Sequence, residues 1–292
     1  MTTDCDQARQ WPGLHLWVVG CGQMGGAMLA RWLEAGMAPA SVTVIDPAPR
    51  GLEPSSTVRR VAAPEEAGAA PALVLLGVKP QQFADVAPPL REVLAGARPI
   101  ILSMMAGVRM HTLASQFPGF PLARIMPNLP VRIGRGAIAL HAPGLEPQER
   151  QAVESLLAAC GLSVPLEDES RFDAVTALSG SGPAFLFRFM EALAAAGEAA
   201  GLDADMARAL AQQTVTGAAA LAESSGLTPA ALRQQVTSPG GTTEAGLDVL
   251  DGEGALSTLL RSTVRAAAER SRHLAAAAEA AAVPLQPEHE RA

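Results

Sequence analysis

A short apolar run at residues 14–19 leads without a spacer into Gly20-Cys21-Gly22-Gln23-Met24-Gly25, and an apolar-periodic segment at residues 27–33 follows at once. A strand, a glycine turn and a helix in that order predict the opening unit of an open sheet wound with helices. Each glycine has a task in such a turn. The first makes the bend, the second lets a pyrophosphate approach the backbone, and the third lets helix and strand pack closely. The amides of the new helix would face the phosphates. The stretch from Val19 to Gly25 is therefore a candidate dinucleotide site.

Gly36 ends that helix, and residues 41–45, rich in β-branched side chains, read as the second strand. Asp46 stands at its tip, about 20 residues after the glycine turn, where an acid accepts hydrogen bonds from a ribose 2′-OH. Such a carboxylate repels a 2′-phosphate and leans toward NAD, although Arg50 is close enough in sequence to pair with one. The plain alternative is an aspartate in a turn before Pro47. Residues 64–68 predict a short helix and residues 72–76 a fully buried parallel strand. That strand ends in Gly77-Val78-Lys79-Pro80, so the only lysine of the chain sits at the edge where open α/β sheets bind ligands. Residues 81–94 predict a helix interrupted by Pro88 and Pro89. A strand at 99–102 runs into Ser103-Met104-Met105-Ala106-Gly107, and another at 122–125 closes with Met126-Pro127-Asn128-Leu129-Pro130. The amide of Asn128 either bonds a nicotinamide or substrate, or braces its stiff loop. A strand at 137–141 and a helix at 148–160 complete a doubly wound parallel sheet, a Rossmann-like domain over residues 1–167.

From Glu169 onward the strand pattern vanishes. Alanine-rich helices are predicted at 173–178, 183–200, 203–223 and 254–282, an all-α domain over residues 168–292. Within Leu178-Ser179-Gly180-Ser181-Gly182-Pro183-Ala184-Phe185, Pro183 suits a first helical turn and Ser181 its cap. The amides of that start would favour an anion or polar ligand. The helix at 183–200 is apolar on nearly every face, as expected for one surrounded by others. A helical half so apolar predicts an obligate homodimer packed through it. Thr228 caps a short helix opened by Pro229, and Val236-Thr237-Ser238-Pro239-Gly240-Gly241-Thr242-Thr243 leads into the next. Adjacent glycines flanked by hydroxyls before a helix make a nest of amides suited to a small carboxylate, or else a polar helix connection.

Composition narrows the chemistry. At 292 residues the chain exceeds one ordinary core, and with 49% hydrophobic and 17% charged residues it has much apolar surface to bury, partly between subunits. A net charge of -7 gives no general attraction to nucleic acid or anionic membranes. No charge-free apolar run approaches the roughly 20 residues of a membrane span. Residues 1–10 are polar with an acidic tilt, unlike a signal peptide, so the cytoplasm is expected, and residues 284–292 read as a frayed tail. Cys5, Cys21 and Cys160, like the five histidines (His15, His111, His141, His273, His289), are too scattered for a disulfide framework or a metal centre. Hydroxy-acid dehydrogenases need a general acid or base such as a Tyr–Lys pair, a lysine on the helical domain or an oriented histidine. This chain has no tyrosine and no lysine in its second half. A protonated imine needs less: positioning, a carboxylate clamp and a hydrogen bond to nitrogen, all within the reach of residues 237–243.

With these residues in view, the chain resembles the pyrroline-5-carboxylate reductase family over nearly its full length. The resemblance is carried by Gly20-Cys-Gly-Gln-Met-Gly25, Val78-Lys-Pro80, Met126-Pro-Asn128, Asp173-Ala-Val-Thr-Ala-Leu-Ser-Gly-Ser-Gly-Pro-Ala-Phe185 and Ser238-Pro-Gly-Gly-Thr-Thr243. It implies reduction of 1-pyrroline-5-carboxylate to L-proline, the last step of proline biosynthesis, with NADPH or NADH. It also implies cofactor contacts from Val19, Gly20, Cys21, Gly22, Gln23 and Met24, from Gly77, Val78, Lys79 and Pro80, and from Ala106. With Gly25, Asp46 and Asn128 these make the expected cofactor set. Ser238, Gly240, Gly241, Thr242 and Thr243 would hold the substrate, with Glu169 and Gln235 at the same pocket. Thr243 is the implied catalytic residue, bonding the ring nitrogen. The resemblance further implies helical domains that interlock in a homodimer, or an oligomer of such dimers, each site borrowing residues from a neighbour. Family members more often carry serine or asparagine with basic neighbours at Asp46, threonine at Leu129, and a smaller pair at Met104-Met105. The competing expectations are a reductase of another cyclic imino acid, a deazaflavin-linked nicotinamide oxidoreductase, and a catalytically silent dinucleotide-binding regulator.

Overall fold

The structure, a computed structural model, describes residues 13–51 and 57–282. The polar start with Cys5 and the expected tail with His289 lie outside the described residues. One compact unit comprises the chain through Gly180 together with the part from Ala267 onward, and Ser181–Ala266 forms the second. The boundary expected after residue 167 therefore differs from the packing: residues 168–180 stay with the sheet.

Eight strands build one sheet: β1 (Leu16–Val19), β2 (Val42–Ile45), β3 (Arg59–Val61), β4 (Leu73–Leu76), β5 (Ile100–Ser103), β6 (Leu122–Met126), β7 (Gly136–His141) and β8 (Gly161–Pro165). Their order is β3-β2-β1-β4-β5-β6-β7-β8. The direction of winding reverses between β1 and β4, which leaves a crevice at the carboxyl ends of those two strands. β1, β2, β4 and β5 are buried on both faces, which is why their sequences are continuous apolar runs without alternation. Within β1 the faces divide the work. Leu16 and Val18 join Met28, Leu29 and Trp32 of α1 (Gln23–Glu34) and Val153 and Leu156 of a helix at Pro147–Cys160. Trp17 and Val19 join Phe83, Ala87 and Leu90 of a helix at Phe83–Val93, and Leu113 of one at Met110–Gln116. The indole of Trp32 donates to the carbonyl of Leu156 at 2.8 Å, tying two helices on the same face.

Four details depart from expectation. β7 runs antiparallel to β6, and β8 parallel to β7. The link between β6 and β7 holds only a 3₁₀ turn, Leu129–Ile133, too short for a crossover helix, so the chain must fold back. The helix at Phe83–Val93 runs through Pro88 and Pro89 unbroken. The carbonyls that lose their donors belong to Ala84 and Asp85, both exposed, where water can substitute. Thirdly, β3, β8 and the helix at Met110–Gln116 were not predicted. Finally, a π turn at Thr176–Gly180 runs into the helix Gly182–Ala199, and Ser181 makes no side-chain cap bond. The helix is thus entered from helical backbone, and the amides of Ala184 and Phe185 at its start both donate to the carbonyl of Ser181.

In the second unit the predicted cap at Thr228 forms, and Asp203, not foreseen as a cap, makes another. Asp203 Oδ1 accepts from Met206 N at 2.9 Å to open Ala204–Ser225, and Thr228 Oγ1 accepts from Ala231 N at 3.2 Å to open Pro229–Gln235. The last helix is Ala255–Ala282. The helix Gly182–Ala199 has no buried residue in this single copy, and Leu186, Phe187 and Phe189 are each about half exposed. An apolar surface of that kind marks an association face.

Candidate active site

Five adjacent parallel strands, in the order β2-β1-β4-β5-β6, deliver the segments singled out in the sequence to one edge of the sheet. Asp46 follows β2, the glycine turn follows β1, Gly77 to Pro80 follow β4, Ala106 lies beyond β5 and Asn128 beyond β6. Gly20 has φ 85, and a Cβ on it would stand 2.6 Å from the backbone nitrogen of Val78, so the turn after β1 touches the tip of β4. A Cβ on Gly25 would meet the carbonyl oxygen of Gly20 at 2.8 Å, which is the close helix–strand packing required of the third glycine. Gly22 faces open space, with nothing within 4 Å of where its Cβ would be. The first ladder bond of α1 runs from Gly26 N to Gly22 O at 2.8 Å. The amides of Gln23, Met24 and Gly25 precede it and lie next to that opening, an arrangement that fits a pyrophosphate.

Asp46 is fixed to the turn. Its Oδ2 accepts from Cys21 N at 2.7 Å and its Oδ1 from Ala48 N at 2.8 Å, so it is both the acid at the strand tip and the residue that shapes the following turn. Gly51 N donates to Cys21 O at 2.9 Å. Burial, and secondly the nearby Asp46 carboxylate, push the Cys21 thiol up to about 11, so it stays protonated. Lys79 is exposed at the tip of β4, where Pro80 opens a 3₁₀ turn. Asn128 is buried and spends its amide internally. Nδ2 donates to Ser179 O at 3.0 Å and Oδ1 accepts from Ala137 N at 2.9 Å. Of its two expected roles, these bonds describe the brace, which clasps the loop after β6 to the π turn.

The same sheet edge holds a cavity of about 390 Å³ lined in part by Arg109, Arg124, Glu169, Phe172, Asp173 and Ser271. Arg124, on β6, is 3% exposed. It pairs with the Glu169 carboxylate, and its guanidinium carbon lies 4.3 Å from the centre of the Phe172 ring. Burial lowers the guanidinium from its ordinary pKa, and the hydrogen bond and charge of Glu169 oppose that. Glu169 also accepts from Met110 N at 2.7 Å. Glu169, expected at the substrate pocket, thus does line a cavity, with its carboxylate engaged by Arg124. Sequence reasoning missed Arg124. Its signal was a lone charge inside the apolar run Leu-Ala-Arg-Ile-Met, which a strand tolerates only where a partner waits.

The remaining expected residues belong to the second unit. Gln235 ends one helix, and Ser238 to Gly241 turn into Thr242–Asp251. The glycine amides are occupied: Gly240 N donates to Glu244 at 2.6 Å and Gly241 N to Ser238 O at 3.0 Å. The ladder of the new helix opens with Ala245 N bonding Gly241 O, and the glycine at its N-cap brings no side-chain acceptor. The amides of Thr242, Thr243 and Glu244 are therefore the ones available to a carboxylate, one step beyond the glycines expected to supply them.

An open sheet with a glycine turn at its switch point, joined to an apolar helical unit, defines a nicotinamide-dependent oxidoreductase. Residues 15–107 match the family model described as NADP oxidoreductase coenzyme F420-dependent, and residues 169–274 match that of pyrroline-5-carboxylate reductase dimerisation. The chain is 39% identical over 267 residues to the pyrroline-5-carboxylate reductase of a Synechocystis species, covering 89% of this chain and 98% of the relative. It is 36% identical over 259 residues to that of Pisum sativum, covering 88% and 94%. The chain belongs to the pyrroline-5-carboxylate reductase family. Among solved structures, that of the enzyme from Coxiella burnetii superimposes with a TM-score of 0.83 at 31% identity, covering 89% of this chain and 98% of that one. At 24% identity the fold is also shared by a Plasmodium falciparum pyrroline carboxylate reductase with NADP bound, with a TM-score of 0.78 over 90% of this chain and 98% of that one.

Proposed function

We infer that the chain reduces 1-pyrroline-5-carboxylate to L-proline with NADPH or NADH, acting as a homodimer. One observation carries the reading: a family member at this identity keeps both the open glycine turn of the first unit and the Ser238–Thr243 turn of the second. The reduced nicotinamide supplies the hydride. The amides of Gln23, Met24 and Gly25 hold the pyrophosphate. The amides of Thr242 and Thr243 orient the substrate carboxylate, and the Thr243 hydroxyl bonds the ring nitrogen of the protonated imine, so that hydride addition to the carbon turns C=N–H⁺ into the neutral C–N–H amine. The exposed apolar helices of the second unit supply the dimer face. A cytoplasmic location is part of the proposal and rests on the sequence. Among the described residues no helix is long and apolar enough to cross a membrane.

The test is loss of reduced cofactor in the presence of 1-pyrroline-5-carboxylate, with proline measured as product. Replacing Thr243 with Ala is expected to lower kcat by about 10- to 100-fold with cofactor binding unchanged. An unaltered kcat would remove Thr243 from the mechanism. Cofactor binding without turnover by the parent chain would support a silent regulator instead.

A further inference from the structure

We propose that Asp46 makes this chain select NADH over NADPH. The inference rests on the proposed cofactor chemistry and concerns the same cofactor edge. Asp46 follows β2, beside the glycine turn, the position from which an acid receives the 2′-OH of an adenosine ribose. What the structure adds is that this carboxylate cannot swing aside. The loop from Asp46 to Gly51 holds Cys21 by both its backbone groups: the Asp46 carboxylate accepts from Cys21 N at 2.7 Å, and Gly51 N donates to Cys21 O at 2.9 Å.

A second carboxylate oxygen is tied to Ala48 N at 2.8 Å. The same loop lies directly against α1. A Cβ on Gly26 would stand 1.9 Å from the carbonyl oxygen of Gly51, and a Cβ on Gly51 would stand 2.1 Å from that of Gly22. Negative charge and packed backbone therefore sit together beside the strand tip, where a 2′-phosphate would need both room and cations. Each carboxylate oxygen has a further lone pair, so accepting a ribose hydroxyl demands no rearrangement. The loop itself carries one cation, Arg50, which is exposed, and the charge of Arg60 on β3 also reaches Cys21. On the neighbouring strand β3, Arg59 donates to the carbonyl of Glu66 at 2.6 Å, and Arg60 stands opposite Val44 in the register.

Kinetics with the two cofactors decide the matter. NADH is expected to exceed NADPH in kcat/KM by about tenfold or more, the scale of a like-charge clash at a binding site. Asp46→Asn removes the charge and keeps one acceptor, so one of the two amides that Asp46 holds, Cys21 N or Ala48 N, loses its partner. The substitution should raise kcat/KM for NADPH by about tenfold while that for NADH falls less. Arg50→Ala should leave the preference as it is. Equal use of the two cofactors, preference for NADPH, or a preference unmoved by Asp46→Asn would each overturn the proposal. If Asp46→Asn does not fold, judged by circular dichroism, the wild-type ratio and the Arg50→Ala variant decide alone. Fluorescence titration of both cofactors without substrate separates this proposal from the reaction itself. Tighter NADH binding without turnover supports the role of Asp46 and sinks the reaction, and tighter NADPH binding overturns the role of Asp46 whether or not turnover is seen.

Discussion

The ion pair of Arg124 and Glu169 supports the sheet edge, and a double-mutant cycle tests how much. The Arg124 side chain is 4% exposed and that of Glu169 24%, so deleting the acid strands the better buried partner. Leaving a buried charge unpaired costs about 3–5 kcal/mol. Two features lower that figure: the Phe172 face still covers the guanidinium, worth about 1 kcal/mol, and the group borders a cavity. For Glu169→Ala a loss of about 2–4 kcal/mol is expected, including the acceptor taken from Met110 N. Arg124→Met strands only a carboxylate that is a quarter exposed and retains that amide, so about 1–2 kcal/mol is expected. The double variant should be less destabilised than the sum of the two, by a coupling of about 1–3 kcal/mol. Urea unfolding at one fixed protein concentration measures all four species, since dimerisation otherwise enters the midpoint. Strict additivity, within about 0.5 kcal/mol, would refute the claim that the two groups sustain each other.

Two further predictions concern stability. Burial holds the thiols of Cys21 and Cys160 at about 11 and about 12, against 9.0 for an open thiol. A raised folded value means the unfolded chain ionises first, so the contribution is intact below pH 9 and is lost as pH rises toward about 11 for Cys21 and about 12 for Cys160. The slope is on the order of 1.4 kcal/mol per pH unit for each thiol. With no tyrosine and a single lysine, few other groups titrate in that window, so the double variant Cys21→Ala with Cys160→Ala should flatten the alkaline fall in unfolding midpoint. An equally steep fall in that variant would contradict the assignment. Asn128→Ala should cost about 2–4 kcal/mol by leaving Ala137 N and Ser179 O unmatched, measured by the same unfolding. A change below about 0.5 kcal/mol would show that the clasp at the π turn is dispensable.

What could be read in advance follows the strength of local physics. Strands buried on both faces, such as Leu73–Leu76, announce themselves as unbroken apolar runs, and the cap at Thr228 follows from side-chain chemistry that acts within one turn. β3, by contrast, is three residues long, and its Arg59 and Arg60 are exposed, so no apolar pattern marks it. β8 is exposed or half-buried throughout and borrows its order from β7. The continuity of the helix across Pro88 and Pro89 depended on which carbonyls face water, a property of the folded surface. Glu169, which Arg124 pairs with, and Ser179, one of the two residues Asn128 bonds, lie 45 and 51 residues away in sequence, beyond any window of local pattern.

The solitary Lys79 has a practical meaning. Apart from the amino terminus, the chain offers one primary amine, exposed at the tip of β4. Coupling to an amine-reactive resin, or tagging with an acylating dye, therefore attaches the molecule in nearly one orientation, by the rim of its own cofactor crevice. Every other positive charge is a guanidinium, inert to such reagents. A chemist wishing to immobilise a working form would need to place a new lysine on the far face of the sheet first.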